Sequence, residues 1–117
     1  MKNVVLLGST GSIGTSTAKV AEDLPNDIRL VGLAAGGNAE LLAVQARQFH
    51  PELVSITSPE KADDLRPQLD GIRVASGDEG LIELAMLPSA DIVLIAIVGT
   101  AGLQPALAAI RAGKDIA

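Results

Sequence analysis

Seven residues, Gly8-Ser9-Thr10-Gly11-Ser12-Ile13-Gly14, follow directly on the apolar run Val4-Val5-Leu6-Leu7. A buried strand that opens into a glycine-rich turn and then a helix is how a dinucleotide-binding βαβ unit begins. Each glycine has its own task. The first lets the chain turn sharply off the strand. The second lets the backbone approach a pyrophosphate, and the third lets the new helix pack closely on the sheet. That helix aims its free N–H groups and positive dipole end at the phosphates. The spacing alone is weak evidence. Its place after one strand, before a helix and ahead of a second strand gives it force.

Strand and helix signals alternate along the rest of the chain. Asn3 to Leu7 reads as a buried strand. Ser12 to Leu24 reads as a helix with Ile13, Val20, Ala21 and Leu24 on one face and Thr17 among them. Pro25-Asn26-Asp27 stops it. Arg29 to Ala34 is a second strand, closed by Gly36-Gly37. Asn38 is placed to cap a helix running to about Phe49, with Leu42, Ala46 and Phe49 inward. Pro51 ends that helix, and Leu53 to Ile56 is a short third strand. Ser58 caps the next helix, with Pro59 at its first position and Ala62, Leu65 and Leu69 as its buried stripe.

Ile72 to Ala75 reads as a strand and Glu79 to Met86 as a helix, followed by a turn at Pro88-Ser89. Asp91 to Val98 is apolar on both faces, which predicts a central strand. Leu103 to Ala112 is a helix with Pro105 in its first turn and Gly113 as its stop. Asp115-Ile116-Ala117 looks like the start of another strand, so the chain is expected to be a piece of a longer protein. The pattern predicts an α/β fold: a Rossmann-like, doubly wound parallel sheet in a single three-layer domain over residues 1–117.

Composition agrees. Hydrophobic residues make up 48% and aromatics 1%, so the core must be built from Val, Ile, Leu and Ala. With Phe49 as the single aromatic residue, the chain lacks the platforms that base stacking needs. A net charge of -5 further argues against a nucleic-acid partner, while backbone amides can still receive a small anion. There is no cysteine, which excludes disulfides and thiolate chemistry. The start shows no secretory pattern, and no apolar run reaches the length of a membrane span. The expectation is a soluble, cytoplasmic protein without a membrane partner.

The candidate binding residues fall in two groups. Gly8, Thr10, Gly11, Ser12 and Ile13 form the phosphate turn, where Thr10 and Ser12 add hydroxyl donors. Gly36, Gly37 and Asn38 follow the second strand. A cofactor with a free ribose 2′-hydroxyl is usually met by an acid near that strand's end. None occurs before Glu40, so the sequence leans toward NADP. No Arg or Lys follows immediately either, which leaves Asn38 and loop amides to hold a 2′-phosphate. Val98-Gly99-Thr100-Ala101-Gly102 is expected at the border of the ligand crevice. His50 reads as a helix-end residue, and Asp63-Asp64 and Asp78-Glu79 as solvated helix starts. No residue is a candidate catalytic acid, base or nucleophile, and no grouping has metal-ligand spacing.

Four blocks together carry a family resemblance: Gly8 to Gly14; Ala35-Gly36-Gly37-Asn38; Ala96-Ile97-Val98-Gly99-Thr100-Ala101-Gly102-Leu103; and Ala108-Ala109-Ile110-Arg111-Ala112-Gly113-Lys114. Over the whole chain the sequence resembles the start of the 1-deoxy-D-xylulose 5-phosphate reductoisomerases. The resemblance implies an NADPH-dependent enzyme of non-mevalonate isoprenoid biosynthesis. Such an enzyme rearranges and reduces 1-deoxy-D-xylulose 5-phosphate, a phosphorylated sugar, to 2-C-methyl-D-erythritol 4-phosphate with Mn²⁺ or Mg²⁺. Residues 1–117 would be its NADPH-binding domain, with the catalytic and C-terminal domains and the metal ligands beyond Ala117.

By motif, Thr10, Gly11, Ser12 and Ile13 would contact the pyrophosphate, and Gly36, Gly37 and Asn38 would border the adenosine ribose and its 2′-phosphate. The family often carries a basic or hydroxyl residue at the position of Gly37, so a 2′-phosphate here would be held less firmly or by other groups. The chain alone is expected to bind cofactor without turnover. Its incomplete last strand would expose a sheet edge and favour a homodimer. Two alternatives are the cofactor domain of another NAD(P)-dependent oxidoreductase and a nucleotide-sensing regulatory domain.

Overall fold

The apolar run lies in β1 (Lys2–Leu7), whose last four residues are all buried. A strand covered on both faces must be apolar on both. The computed structural model describes all residues from Met1 to Ala117. After β1 come α1 (Ser12–Asp23), β2 (Ile28–Ala35), α2 (Ala39–Phe49), β3 (Leu53–Ile56) and α3 (Pro59–Leu65). The chain continues through β4 (Arg73–Ser76), α4 (Gly77–Ala85), β5 (Ile92–Ile95), α5 (Leu103–Arg111) and β6 (Asp115–Ile116). The six strands form one sheet in the order β4-β3-β2-β1-β5-β6, every pair parallel. No helix is long and apolar enough to cross a membrane.

Two separate cores show the three layers. On one face, Val4, Leu6, Leu30, Leu33 and Val54 meet Ala18 and Ala21 of α1, Leu42 and Ala46 of α2, and Ala62 and Leu65 of α3. On the other, Val5, Leu7, Val31, Leu53 and Val93 meet Leu84 and Ala85 of α4 and Ala109 of α5. Adjacent residues of β1 therefore serve opposite faces, as the strand's period of two requires. In β2 that alternation is reset. The register with β1 jumps from Val4 opposite Leu30 to Val5 opposite Gly32. Val31 and Gly32 both turn toward α4, where a Cβ on Gly32 would lie 2.5 Å from Leu84 Cδ2. The irregularity returns Leu33 and Ala35 to the first core.

Caps set the helix starts. The Asn38 side chain accepts from Leu41 N–H at 3.1 Å, and Ser58 accepts from Lys61 N–H at 3.4 Å ahead of Pro59. His50 ends α2 in the left-handed conformation, exposed, at φ 50°.

Three expectations need correction. The packed stripe of α1 is Gly14, Ala18 and Ala21; Ile13, Val20 and Leu24 are exposed. Small residues turn inward because the helix sits too close to the sheet for large ones. The α3 stripe stops at Leu65, where a 3₁₀ turn at Arg66–Gln68 containing Pro67 intervenes before buried Leu69. The strand expected over Asp91 to Val98 is only Ile92–Ile95, and it lies second from the sheet edge rather than at the centre. Beyond Ile95 the chain leaves the sheet and forms the wall of a cleft.

Candidate functional site

The strand order reverses at β1, which pairs with β2 on one side and β5 on the other. A crevice opens at the carboxyl ends of strands at such a point. Here it is a cleft of about 580 Å³. Its lining includes Gly8, Thr10, Gly11, Ser12, Ile13, Gly36, Gly37 and Asn38, so all eight candidate residues meet in one place.

The phosphate turn is held from several sides. Gly8 has φ 93°, which a residue with a side chain rarely adopts. Its N–H and that of Ser9 both donate to Ala34 O at 2.8 Å, at the end of β2. A Cβ on Gly8 would lie 2.6 Å from Ala96 O, so the turn is wedged between the ends of β2 and β5. Gly14 is buried, and a Cβ there would lie 2.0 Å from Gly8 O. Gly11 differs: its Cβ would meet only Gly8 O, at an ordinary 3.8 Å. That leaves open space beside the first amides of α1, whose start no side chain caps.

One support of this turn escaped the sequence reading. Gln45 of α2 is buried, and its Nε2 donates to Ser9 O at 2.8 Å. A local signal existed, since Gln45 is the polar member of an otherwise apolar stripe with Leu42, Ala46 and Phe49.

The second group forms the far end of the cleft. Gly36, Gly37 and Asn38 are exposed, and the Asn38 side-chain oxygen is occupied in capping α2. Thr57 N–H donates to Gly36 O at 3.1 Å, tying this loop to the end of β3. Lys61 of α3 also reaches the loop, its Nζ donating to Gly37 O at 2.8 Å. No local pattern in the sequence signals this contact, whose partners are 24 residues apart.

Ser55, Ile56, Thr57, Gly77, Asp78 and Leu81 complete the cleft from β3 and α4, and Ala96, Ile97, Val98 and Ala101 from the chain after β5. The expected loop Val98 to Gly102 thus contributes Val98 and Ala101. Gly102 is buried against Ile95 instead. Asp78, expected as a solvated helix start, faces the cleft and is the one carboxylate in its lining. His50 and Asp63 stand apart from it. No three His, Cys, Asp or Glu side chains gather as metal ligands. The arrangement can receive an extended, partly anionic molecule on backbone amides. It offers no paired acid and base for proton transfer.

The model of the 1-deoxy-D-xylulose 5-phosphate reductoisomerase family matches residues 4–117. The chain is 47% identical over its whole length to the enzyme of that name from Acaryochloris marina and 49% identical to that of a Synechococcus strain. It spans about 30% of the length of these curated relatives. Among solved structures, it is similar to a DOX-P reductoisomerase in complex with NADPH, fosmidomycin and magnesium, at TM-score 0.94 and 38% identity over 99% of this chain and 29% of that one. The Zymomonas mobilis enzyme in complex with NADPH gives TM-score 0.91 and 37% identity, over 99% of this chain and 31% of the other.

Proposed function

This chain belongs to the 1-deoxy-D-xylulose 5-phosphate reductoisomerase family, and from that premise we propose that residues 1–117 are the NADPH-binding domain of such an enzyme. The observation that carries the reading is the meeting of both glycine-rich segments in one cleft at the sheet's reversal point. The residues fit the cofactor. A Cβ at Gly36 or Gly77 would meet nothing within 4 Å, so the backbone lies open to a ligand at both positions.

The amides of Thr10 to Ile13 would hold the pyrophosphate, with Gly8 turning the chain beneath them. Gly36, Gly37 and Asn38 would border the adenosine ribose and its 2′-phosphate. The bound cofactor supplies hydride to a substrate held elsewhere, while this chain binds and orients it. The apolar wall of Ala96, Ile97, Val98 and Ala101 shields its other end from water.

The whole enzyme converts 1-deoxy-D-xylulose 5-phosphate to 2-C-methyl-D-erythritol 4-phosphate, using Mg²⁺ or Mn²⁺ held by residues outside this chain. It is cytoplasmic and homodimeric, with neither nucleic acid nor membrane as partner. The chain alone binds cofactor without turning over substrate, because its cleft holds no acid–base pair.

Calorimetric titration of the chain with NADPH and NADH in parallel tests the reading. Tighter NADPH binding is expected. Tighter NADH binding, or no binding of either by a sample with folded α/β circular dichroism, refutes it.

A further inference from the structure

The loop after β2 carries neither an acid to reject a 2′-phosphate nor a cation to hold one: Ala35, Gly36, Gly37, Asn38 and Ala39 are all uncharged. The cleft lining contains no Lys or Arg at all. A cation reaches the loop from another element. Lys61 stands in the first turn of α3, 24 residues from Gly37, and its Nζ donates to Gly37 O at 2.8 Å. Each of the three ion pairs in the structure joins other residues, so no carboxylate within 4 Å neutralises this ammonium.

The position suits an anion and not the helix. A cation in a helix's first turn opposes the macrodipole, so α3 gains nothing electrostatically from Lys61. The ammonium has three donors, and the bond to Gly37 uses one. The space around it is open. A Cβ at Gly37 would meet only Lys61 Nζ, at 3.6 Å, and one at Gly36 would meet nothing. Ser58 and Pro59 fix the start of α3 directly after β3, which sets the Lys61 backbone beside this loop.

We propose that Lys61 is the specificity-determining cation beside the cleft, supplying from α3, at the Gly37 rim, the charge that binds a phosphate on the 2′-position of the adenosine ribose. The proposal rests on the NADPH-binding reading above. It gives that reading the group that the β2–α2 loop lacks, at a position that reaches the loop only through the fold.

The test is titration of the purified chain with NADPH and with NADH, for the wild type, Lys61→Met and Lys61→Arg, at two salt concentrations. Lys61 is exposed, so both variants should melt at the wild-type temperature. Loss of a charge-assisted contact at a solvent-facing site should weaken NADPH binding about five- to tenfold. NADH binding should be unchanged. The steeper salt dependence of NADPH binding should flatten in Lys61→Met and return in Lys61→Arg. If the wild type prefers NADPH and Lys61→Met keeps that preference, the role of Lys61 is overturned and the cofactor reading stands. Equal losses for the two cofactors also overturn it, since they show that Lys61 only braces the loop. If the folded wild type binds neither cofactor, the cofactor reading falls and this inference with it.

Discussion

The two glycines at either end of the first turn of α1 should fail in opposite ways when replaced by alanine. In Gly14→Ala the new methyl would sit 2.0 Å from Gly8 O and 2.7 Å from Ser9 Cα. The carbonyl must retreat by about 1 Å to reach even a tight contact. It has nowhere to go. Gly8 N–H is bonded to Ala34 O, the Gly8 backbone is pressed on Ala96, and Ser9 O is held by Gln45. Alanine improves helix propensity by about 1 kcal/mol. Overpacking costs about 1–3 kcal/mol, and backbone against backbone belongs at or above the top of that range. The net loss should be about 2 kcal/mol, a fall of about 8 °C in melting temperature for a domain of this size.

Gly11→Ala should leave the fold intact. Gly11 has φ -80°, which alanine adopts readily, and its Cβ would meet only an ordinary contact at 3.8 Å. The smaller entropy of the unfolded chain gains about 0.4–1 kcal/mol. Replacing glycine by a poorer cap loses a similar amount. The methyl would instead occupy the space in which the proposed function seats the pyrophosphate. A cost of about 1–3 kcal/mol there weakens NADPH binding about fivefold to 150-fold. Thermal melts followed by circular dichroism, with fluorescence titration of NADPH, measure both effects. A Gly14→Ala variant as stable as the wild type would refute the close-packing argument. A Gly11→Ala variant with wild-type affinity would refute the phosphate placement.

Two further substitutions separate support from contact. Gln45→Leu strands Ser9 O without its donor, at about 1–3 kcal/mol, partly offset because the unpartnered Gln45 Oε1 is removed with it. The melting temperature should fall, and NADPH and NADH should lose affinity equally as the turn loosens; a loss confined to NADPH would contradict this. Ser55→Ala removes a buried hydroxyl that has no hydrogen-bond partner, so the melting temperature should hold or rise by up to about 4 °C, equivalent to about 1 kcal/mol. A fall would show that this hydroxyl has a partner in solution.

What the sequence disclosed has a physical pattern. The glycine turn, the Asn38 cap and the Ser58-Pro59 start of α3 were legible because their conformations are dictated within a few residues. Rotations about a helix axis were not. In α1 two adjacent stripes compete, one of large residues (Ile13, Val20, Leu24) and one of small (Gly14, Ala18, Ala21). Hydrophobicity favours the first, while the closeness of helix and sheet selects the second. In β5 the apolar run continued past the sheet because Ile97 and Val98 can serve a cleft wall as well as a core.

Side-chain support from a distance was the least legible. Gln45 and Lys61 lie 36 and 24 residues from the carbonyls they bond. Neither partner is specified until the sheet order and helix packing are known. The cradle itself could be read because its donors are backbone amides, whose positions follow from where glycines allow the chain to turn. A charge serving that cradle can come from any neighbouring element, so the absence of a cation in the β2–α2 loop does not exclude one held against it, as Lys61 Nζ is held against Gly37 O. In a parallel sheet the helix after the next strand starts at the same edge as the cleft. Its first turn is therefore the place to look for a charge that the loop itself does not carry.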